Sequence, residues 1–314
     1  MSYIITFLIL VFSIHLYFNL AKSFKISDSP NERSSHSIET FTGGGIIFPV
    51  AVVCWLINDN FSYLNFFYGL SLIAFISFLD DIFNIKQFHR ILFHIISVLF
   101  LFFQLDLFVI PPWISIFVFF IVIGWINAFN FMDGINGISV FYAGISLLTF
   151  YLIPELINNR ELMKYMALAL IVFGYFNVRK NTIVFLGDVG SISIAFVLAF
   201  LMMTLIHQTY RWEYIIFFSV YGIDSVLTII QRILRKENIF IAHRLHLYQY
   251  LVDKKNCSHL LVSTIYSISQ LVINIILLFA IIPNNHSSLI SCFLLILLVV
   301  LYTSIKFKYI QRFE

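Results

Sequence analysis

Apolar residues run along this chain in long unbroken stretches, not in alternation with polar ones. A spanning helix needs ~20 mainly apolar residues. Eleven stretches meet or approach that length: 2–20, 43–58, 62–79, 90–105, 108–127, 137–153, 163–178, 190–207, 213–231, 259–282 and 287–307. The second and fourth are short. Nothing shows the period-two pattern of a transmembrane barrel strand, so the pattern predicts helices, which satisfy their backbone groups internally when they cross a bilayer. The first stretch lacks a basic flank and an A-x-A-like cleavage site, and so reads as a retained helix, not a signal peptide.

Composition narrows the class. Of 314 residues, 61% are hydrophobic and 11% charged, with a mean hydropathy of +0.94. Soluble domains carry about 45–50% apolar and about 25% charged residues. A cytosolic enzyme, a secreted domain and a disordered chain are therefore excluded. Cys54, Cys257 and Cys292 support neither a disulfide framework nor a metal cluster. The expected fold is an all-α polytopic integral membrane protein of about eleven helices, one membrane domain over 1–314 decorated by loops at 21–42, 80–90, 128–137, 179–190 and 232–258.

Charge orients it. With the N-terminus outside and the C-terminus cytoplasmic, sixteen of the nineteen Lys and Arg residues fall on inner connections, and only Arg160, Lys164 and Arg211 fall outside. This is the positive-inside bias, and dropping one helix from the count would mix the two sets.

The remaining polar residues collect in the inner loops. Asp80-Asp81 ends the third stretch, and adjacent carboxylates repel unless a cation or a shared proton intervenes. A solvated helix end is the plain reading, and a divalent metal or a general base the functional one. Asn127 and Asn130 share a helix face that Asp133 continues, before Gly134, Asn136 and Gly137. Such oxygens suit a hard cation or a nucleotide, or only a polar helix end and turn. Phe185-Leu186-Gly187-Asp188-Val189-Gly190-Ser191 precedes the eighth stretch, whose helix N-terminus could receive a phosphate; Asp188 could equally be a helix cap. The loop with Arg232, Arg235, Lys236, His243, Arg244 and His246 supplies cations for an anion. Gly43-Gly44-Gly45 opens the second stretch at a cost of roughly 1 kcal/mol per glycine in helix propensity, which close packing, ligand approach or a hinge would explain.

Carboxylates for a metal, amides and glycines for a nucleotide and cations for phosphates point to phosphoryl transfer between a nucleotide-activated compound and a lipid headgroup. In order and spacing, Asp80-Asp81, the run from Asn127 to Gly137, and Gly187-Asp188-x-Gly190-Ser191 resemble the polyprenyl-phosphate N-acetylhexosamine-1-phosphate transferases (glycosyltransferase family 4), from about Asp28 to Gln249. The segments DSPNERSSH and AHRLHLYQ look most like the branch that starts O-antigen-type glycans. The resemblance implies a bacterial inner-membrane enzyme with its active site facing the cytoplasm. It would join UDP-N-acetylhexosamine and undecaprenyl phosphate, release UMP, and use Mg²⁺, or Mn²⁺ in its place. Asp188 would be the main metal ligand, with Asn130 and Asp133 completing the metal and nucleotide site beside Asn127 and Gly187. Phe185 would stack on uracil, and Asp80 would act on the lipid phosphate with Asp81 in support. Arg90 and Arg33 would lie near phosphates, and His243, Arg244 and His246 would hold the diphosphate or the sugar. Relatives are often dimers, which allows a homodimer; nucleic acid is not an expected partner. Thr42 and Asn136 depart from the family's customary arginine and aspartate.

The main rival is a lipid-linked-sugar transporter or flippase, but transporters place binding residues near the midplane within repeats, whereas these acids cluster at one face. A CDP-alcohol phosphotransferase would need an Asp-Gly-x-x-Ala-Arg element, which Asp133-Gly134-Ile135-Asn136-Gly137 is not. Sidedness is checked by cysteine labelling: a cysteine introduced at Lys236 should react with an impermeant maleimide only from the inner side, and labelling from outside would overturn the helix count.

Overall fold

The computed structural model describes residues 2–28, 39–83, 85–239, 241 and 243–310. Every expected stretch contains a helix: α1 (Tyr3–Phe24), α2 (Ile47–Asn58), α3 (Leu64–Phe83), α4 (Gln87–Gln104), α5 (Pro112–Met132), α6 (Ile138–Tyr151), α7 (Arg160–Asn177), α8 (Gly187–Thr209), α9 (Ser219–Leu234), α11 (His259–Ile276) and α12 (Ser287–Ile310). Between α9 and α11 lies a short α10 (Leu247–Asp253), and the first loop carries an antiparallel pair, β1 (Ser27–Asp28) with β2 (Thr40–Phe41). The protein is thus an all-α polytopic membrane protein.

Among the described residues, eight helices are long and apolar enough to cross a bilayer by themselves, against the eleven expected. The shortfall has three sources. α2 has 12 residues and α6 has 14, or roughly 18 and 21 Å at 1.5 Å per residue, and α7 opens on Arg160, Glu161 and Lys164. The α6–α7 pair passes only together, bent by 116°. Its two ends nevertheless meet, because the Asn177 side chain accepts from the Gly137 N–H at 2.8 Å. Its bend lies level with the start of α1, where the Tyr3 hydroxyl donates to Glu161 at 2.6 Å. The pair therefore leaves one end of the bundle and returns to it.

The centre of the bundle is α8. Nearly all (94%) of its most apolar window is buried, against 6% for α12. A helix apolar all round must be surrounded, and α3 and α5 pack along it. Its few hydroxyls are satisfied locally, Ser193 donating to the Val189 carbonyl at 2.6 Å and Thr204 to that of Phe200 at 2.8 Å.

The three glycines are explained by close packing. α2 begins only at Ile47, after a 3₁₀ turn over Gly44–Ile46. The Gly44 and Gly45 N–H groups donate to the Phe185 and Leu186 carbonyls at 3.0 and 2.9 Å, and the Phe185 N–H donates to Phe41 at 2.7 Å. The first loop is thereby stitched to the start of α8. A Cβ on Gly45 would lie 2.2 Å from the Gly190 Cα, and one on Gly187, at φ +72°, would lie 2.7 Å from the Gly43 Cα. Backbone cannot move aside as a side-chain tip can, so Gly45→Ala should lower the Tm of the purified protein, at a cost of about 1–3 kcal/mol for overpacking. Gly124→Ala and Gly144→Ala, inside α5 and α6 with Cβ atoms that would meet nothing within 4 Å, are the controls expected to hold or slightly raise Tm.

Candidate active site

The last turn of α3 meets the first turn of α8. An α-helix starts with N–H groups that have no partner inside the helix. Those of Asp188 and Val189 donate to the two carboxylate oxygens of Asp81, at 2.8 and 3.1 Å. Asp81 thus caps a helix from another part of the chain, and its negative charge sits at the positive end of the α8 dipole. Two expectations change here. Asp188 is not the cap, and these two N–H groups are taken by Asp81, so they are not open to a phosphate.

With capping done by Asp81, the Asp188 side chain turns elsewhere. Arg90, in the first turn of α4, forks between two carboxylates, its Nη1 lying 2.6 Å from Asp80 and its Nη2 2.7 Å from Asp188. The other Asp80 oxygen accepts the Ile85 N–H at 2.5 Å. Charge-assisted bonds of this kind are short and directional, so one planar group holds α3, α4 and α8 in register. Among the described residues, one guanidinium against three carboxylates still leaves the corner short of positive charge.

The end of α5 supplies the next wall. Asn130 lies beside Asp188, and its side-chain oxygen accepts from Ser191 at 2.9 Å. Asp133, just past α5, accepts from Ser139 at 2.6 Å. Burial pushes the Asp133 carboxyl up to about 7; the Ser139 bond pulls the other way, and the Asp188 charge adds to the rise. Among the described residues, no three or more His, Cys, Asp or Glu side chains are grouped to hold a metal ion by themselves. The oxygen donors of Asp188, Asp133 and Asn130 are of the kind that a hard divalent cation takes together with water and substrate phosphates.

α10 closes the side. The Tyr248 hydroxyl donates to the Phe131 carbonyl at 3.0 Å, and a Cβ on Gly134 would lie 2.2 Å from the Tyr248 hydroxyl oxygen. Other sequence-selected residues are placed differently from the acid corner. The Asn127 amide donates back to Ile123 at 2.8 Å. Arg244 makes a two-point pair with Asp253, both bonds 2.9 Å. His246 is buried, with Nδ1 3.2 Å from Asp224. Burial, with neighbouring His246 and Arg232, pushes His243 down to about 4, so it is uncharged at neutral pH and is not one of the loop's cations. Phe185 is half-buried, its backbone bound to Phe41 and Gly44. Arg33 lies outside the described residues.

Sequence reasoning missed Asp81 as a cap, Tyr17, whose hydroxyl donates to the Thr42 carbonyl, Tyr248, and the buried Asp224. The first two partnerships span turns far apart in the chain and leave no local signal. A lone acid inside an apolar stretch was a signal for Asp224. Asn136 has a structural reason to be an amide: its Nδ2 donates to the Arg179 carbonyl at 3.0 Å, which a carboxylate could not do.

The chain is similar to known transferases over part of its length. Over 119 residues the chain is 34% identical to a phospho-N-acetylmuramoyl-pentapeptide-transferase of Streptococcus mutans, covering 37% of this chain and 34% of that protein. The corresponding protein of Lactococcus lactis is 31% identical over 120 residues, covering 37% and 35%. That of Limosilactobacillus fermentum is 30% identical over 120 residues, covering 37% and 36%. The chain thus spans about a third of the length of the curated relatives it matches. Residues 63–206, which include Asp80, Asp81, Arg90, Asn130, Asp133 and Asp188, match the family model described as glycosyl transferase family 4.

Proposed function

We propose that this protein transfers N-acetylhexosamine-1-phosphate from a UDP-sugar to undecaprenyl phosphate at the cytoplasmic face of the bacterial inner membrane. The product would start an O-antigen or another cell-envelope polysaccharide. The observation that carries the reading is the Arg90 fork between Asp80 and Asp188, which joins two acid motifs inside the family-matched region.

An oxygen of the lipid phosphate attacks the β-phosphorus of the UDP-sugar. A new phosphoanhydride forms, the α–β bridge breaks, and UMP leaves with the bridging oxygen. A phosphate monoester with a second pKa near 6 is already largely ionised at neutral pH, so the protein's work is mainly to orient anions and offset their charge. Asp80 stands ready to accept the remaining proton when the lipid arrives protonated, and Arg90 can exchange a carboxylate for a phosphate. Asp188, Asn130 and Asp133 would hold Mg²⁺, which when bound neutralises diphosphate charge. Phe185, Gly187 and Asn127 would line the nucleotide side. His243, Arg244 and His246 would face the sugar or the diphosphate, and Arg33 belongs with the phosphate-binding set.

The relatives are phospho-N-acetylmuramoyl-pentapeptide-transferases, whereas DSPNERSSH and AHRLHLYQ support a plain N-acetylhexosamine such as GlcNAc, QuiNAc or FucNAc. The experiment is UMP release by the purified full chain with undecaprenyl phosphate, Mg²⁺ and a UDP-sugar panel that includes UDP-MurNAc-pentapeptide. A UDP-N-acetylhexosamine should release UMP and EDTA should stop it. Asp188→Ala should slow release on the order of 100- to 1000-fold. The reading is wrong if no donor in the panel yields UMP, or if Asp188→Ala keeps the wild-type rate. Separately, Arg90→Lys should lose most of the activity despite keeping the charge, because an ammonium cannot reproduce the planar two-point fork; full activity in that variant would remove Arg90 from the proposed role.

A further inference from the structure

A fully buried carboxylate in α9 lies outside the motifs used so far. Asp224 Oδ1 accepts the Leu247 N–H at 3.2 Å, the Tyr302 hydroxyl at 2.8 Å and the Thr228 hydroxyl at 3.3 Å, and faces His246 Nδ1 at 3.2 Å. Its Oδ2 accepts the Tyr266 hydroxyl at 2.6 Å. The partners come from α9, the start of α10, α11 and α12. An ionised carboxylate only accepts, so the hydrogen on His246 lies on Nδ1, which fixes the tautomer and ring orientation. The atom left is Nε2, which is buried and has no partner among the described residues. The His246 ring stands 5.0 Å from that of His243 and 5.8 Å from that of Tyr248. Tyr248 in turn reaches the Phe131 carbonyl at 3.0 Å, two residues from Asp133. A continuous chain of contacts therefore runs from Asp224 to the edge of the acid corner.

The same carboxylate explains how α12 is attached. Almost none of that helix is buried, yet Tyr302 reaches Asp224, and Lys306, only 8% exposed, donates to Thr228 at 2.7 Å. Two polar side chains near one end of an otherwise lipid-facing helix enter a single network, and buried networks of this kind act as units.

We propose that Asp224 is a positioning residue that fixes the His246 tautomer and the start of α10, and so sets how segment 243–249 stands against the acid corner, with α12 clamped to α9 at the same network through Tyr302 and Lys306. The proposal rests on the transferase reading, because the segment positioned is the one assigned to the sugar and diphosphate.

The test uses the full chain in lipid nanodiscs, with Asp224→Asn as an isosteric variant that presents an amide donor to groups that themselves donate. By activity, kcat for UMP release should fall on the order of 10- to 100-fold, the cost of small misplacement, while the KM for the UDP-sugar changes much less. The same substitution made on top of His246→Ala should cost only about twofold, since coupled neighbours do not add. A readout independent of activity is trypsin cleavage after Arg244, followed by mass spectrometry. It should speed up in Asp224→Asn and in Tyr302→Phe, while cleavage after Lys180 stays at the wild-type rate. If the unmodified chain releases no UMP, the transferase reading fails and the trypsin comparison still decides the positioning role. Wild-type cleavage after Arg244 in Asp224→Asn, or an undiminished penalty when His246 is absent, would overturn the proposal. Should Asp224→Asn fail to fold, Tyr266→Phe and Tyr302→Phe each remove one donor and decide the point by the same cleavage assay.

Discussion

Two N–H groups at the start of α8 have to be satisfied inside the protein, and the carboxylate of Asp81 satisfies them. That bond decides the rest of the site. α8 is the most enclosed helix of the bundle, so its N-terminus cannot be left to water, and an uncapped buried helix end would leave donors unpaired at about 1–3 kcal/mol each. Because the cap comes from α3, the acid that follows Gly187 is released from capping. Asp188 can then meet Arg90, and through it Asp80. Had Asp188 capped its own helix, the two acid motifs would have no shared cation.

The glycine contacts serve the same junction. For Asp81 to reach the α8 N-terminus, the first loop has to lie against it at backbone distance, and Gly43, Gly45, Gly187 and Gly190 make that approach possible. Here chain flexibility is not the role of the glycines. They are absences of Cβ where two backbones touch, and the stitched hydrogen bonds from Gly44 and Gly45 to Phe185 and Leu186 replace the α-helical bonds that a run of glycines forms poorly.

The polar residues divide into two sets with different duties. Asp80, Asp188, Asp133 and Asn130 face a common corner with, among the described residues, one guanidinium, and this is the corner to which the proposed metal and phosphates are assigned. Asp224, Tyr266, Tyr302, Thr228 and His246 instead bond to each other, a buried network that also takes in the Leu247 N–H at the start of α10. Burial of charge inside a membrane protein is tolerated in either form, because in each the carboxylate has partners.

By itself, the sequence determined the helical membrane class, the positions of the helical stretches and the motifs that carry the acids. Those follow from hydrophobic runs whose length is set by the bilayer and from the cost of placing charge in it, both local properties of the chain. It overstated how many stretches are long enough to cross alone, because local hydropathy cannot tell a 12-residue helix such as α2 from the turn that extends it. The tertiary structure alone decided which carboxylate caps, which pairs and which positions. Asp80, Asp81 and Asp188 are the same kind of residue in similar local contexts. Their roles diverge through partners on other helices, 107 residues away in the case of Asp81 and Asp188, and a hydrogen bond at that separation has no periodicity or spacing to betray it.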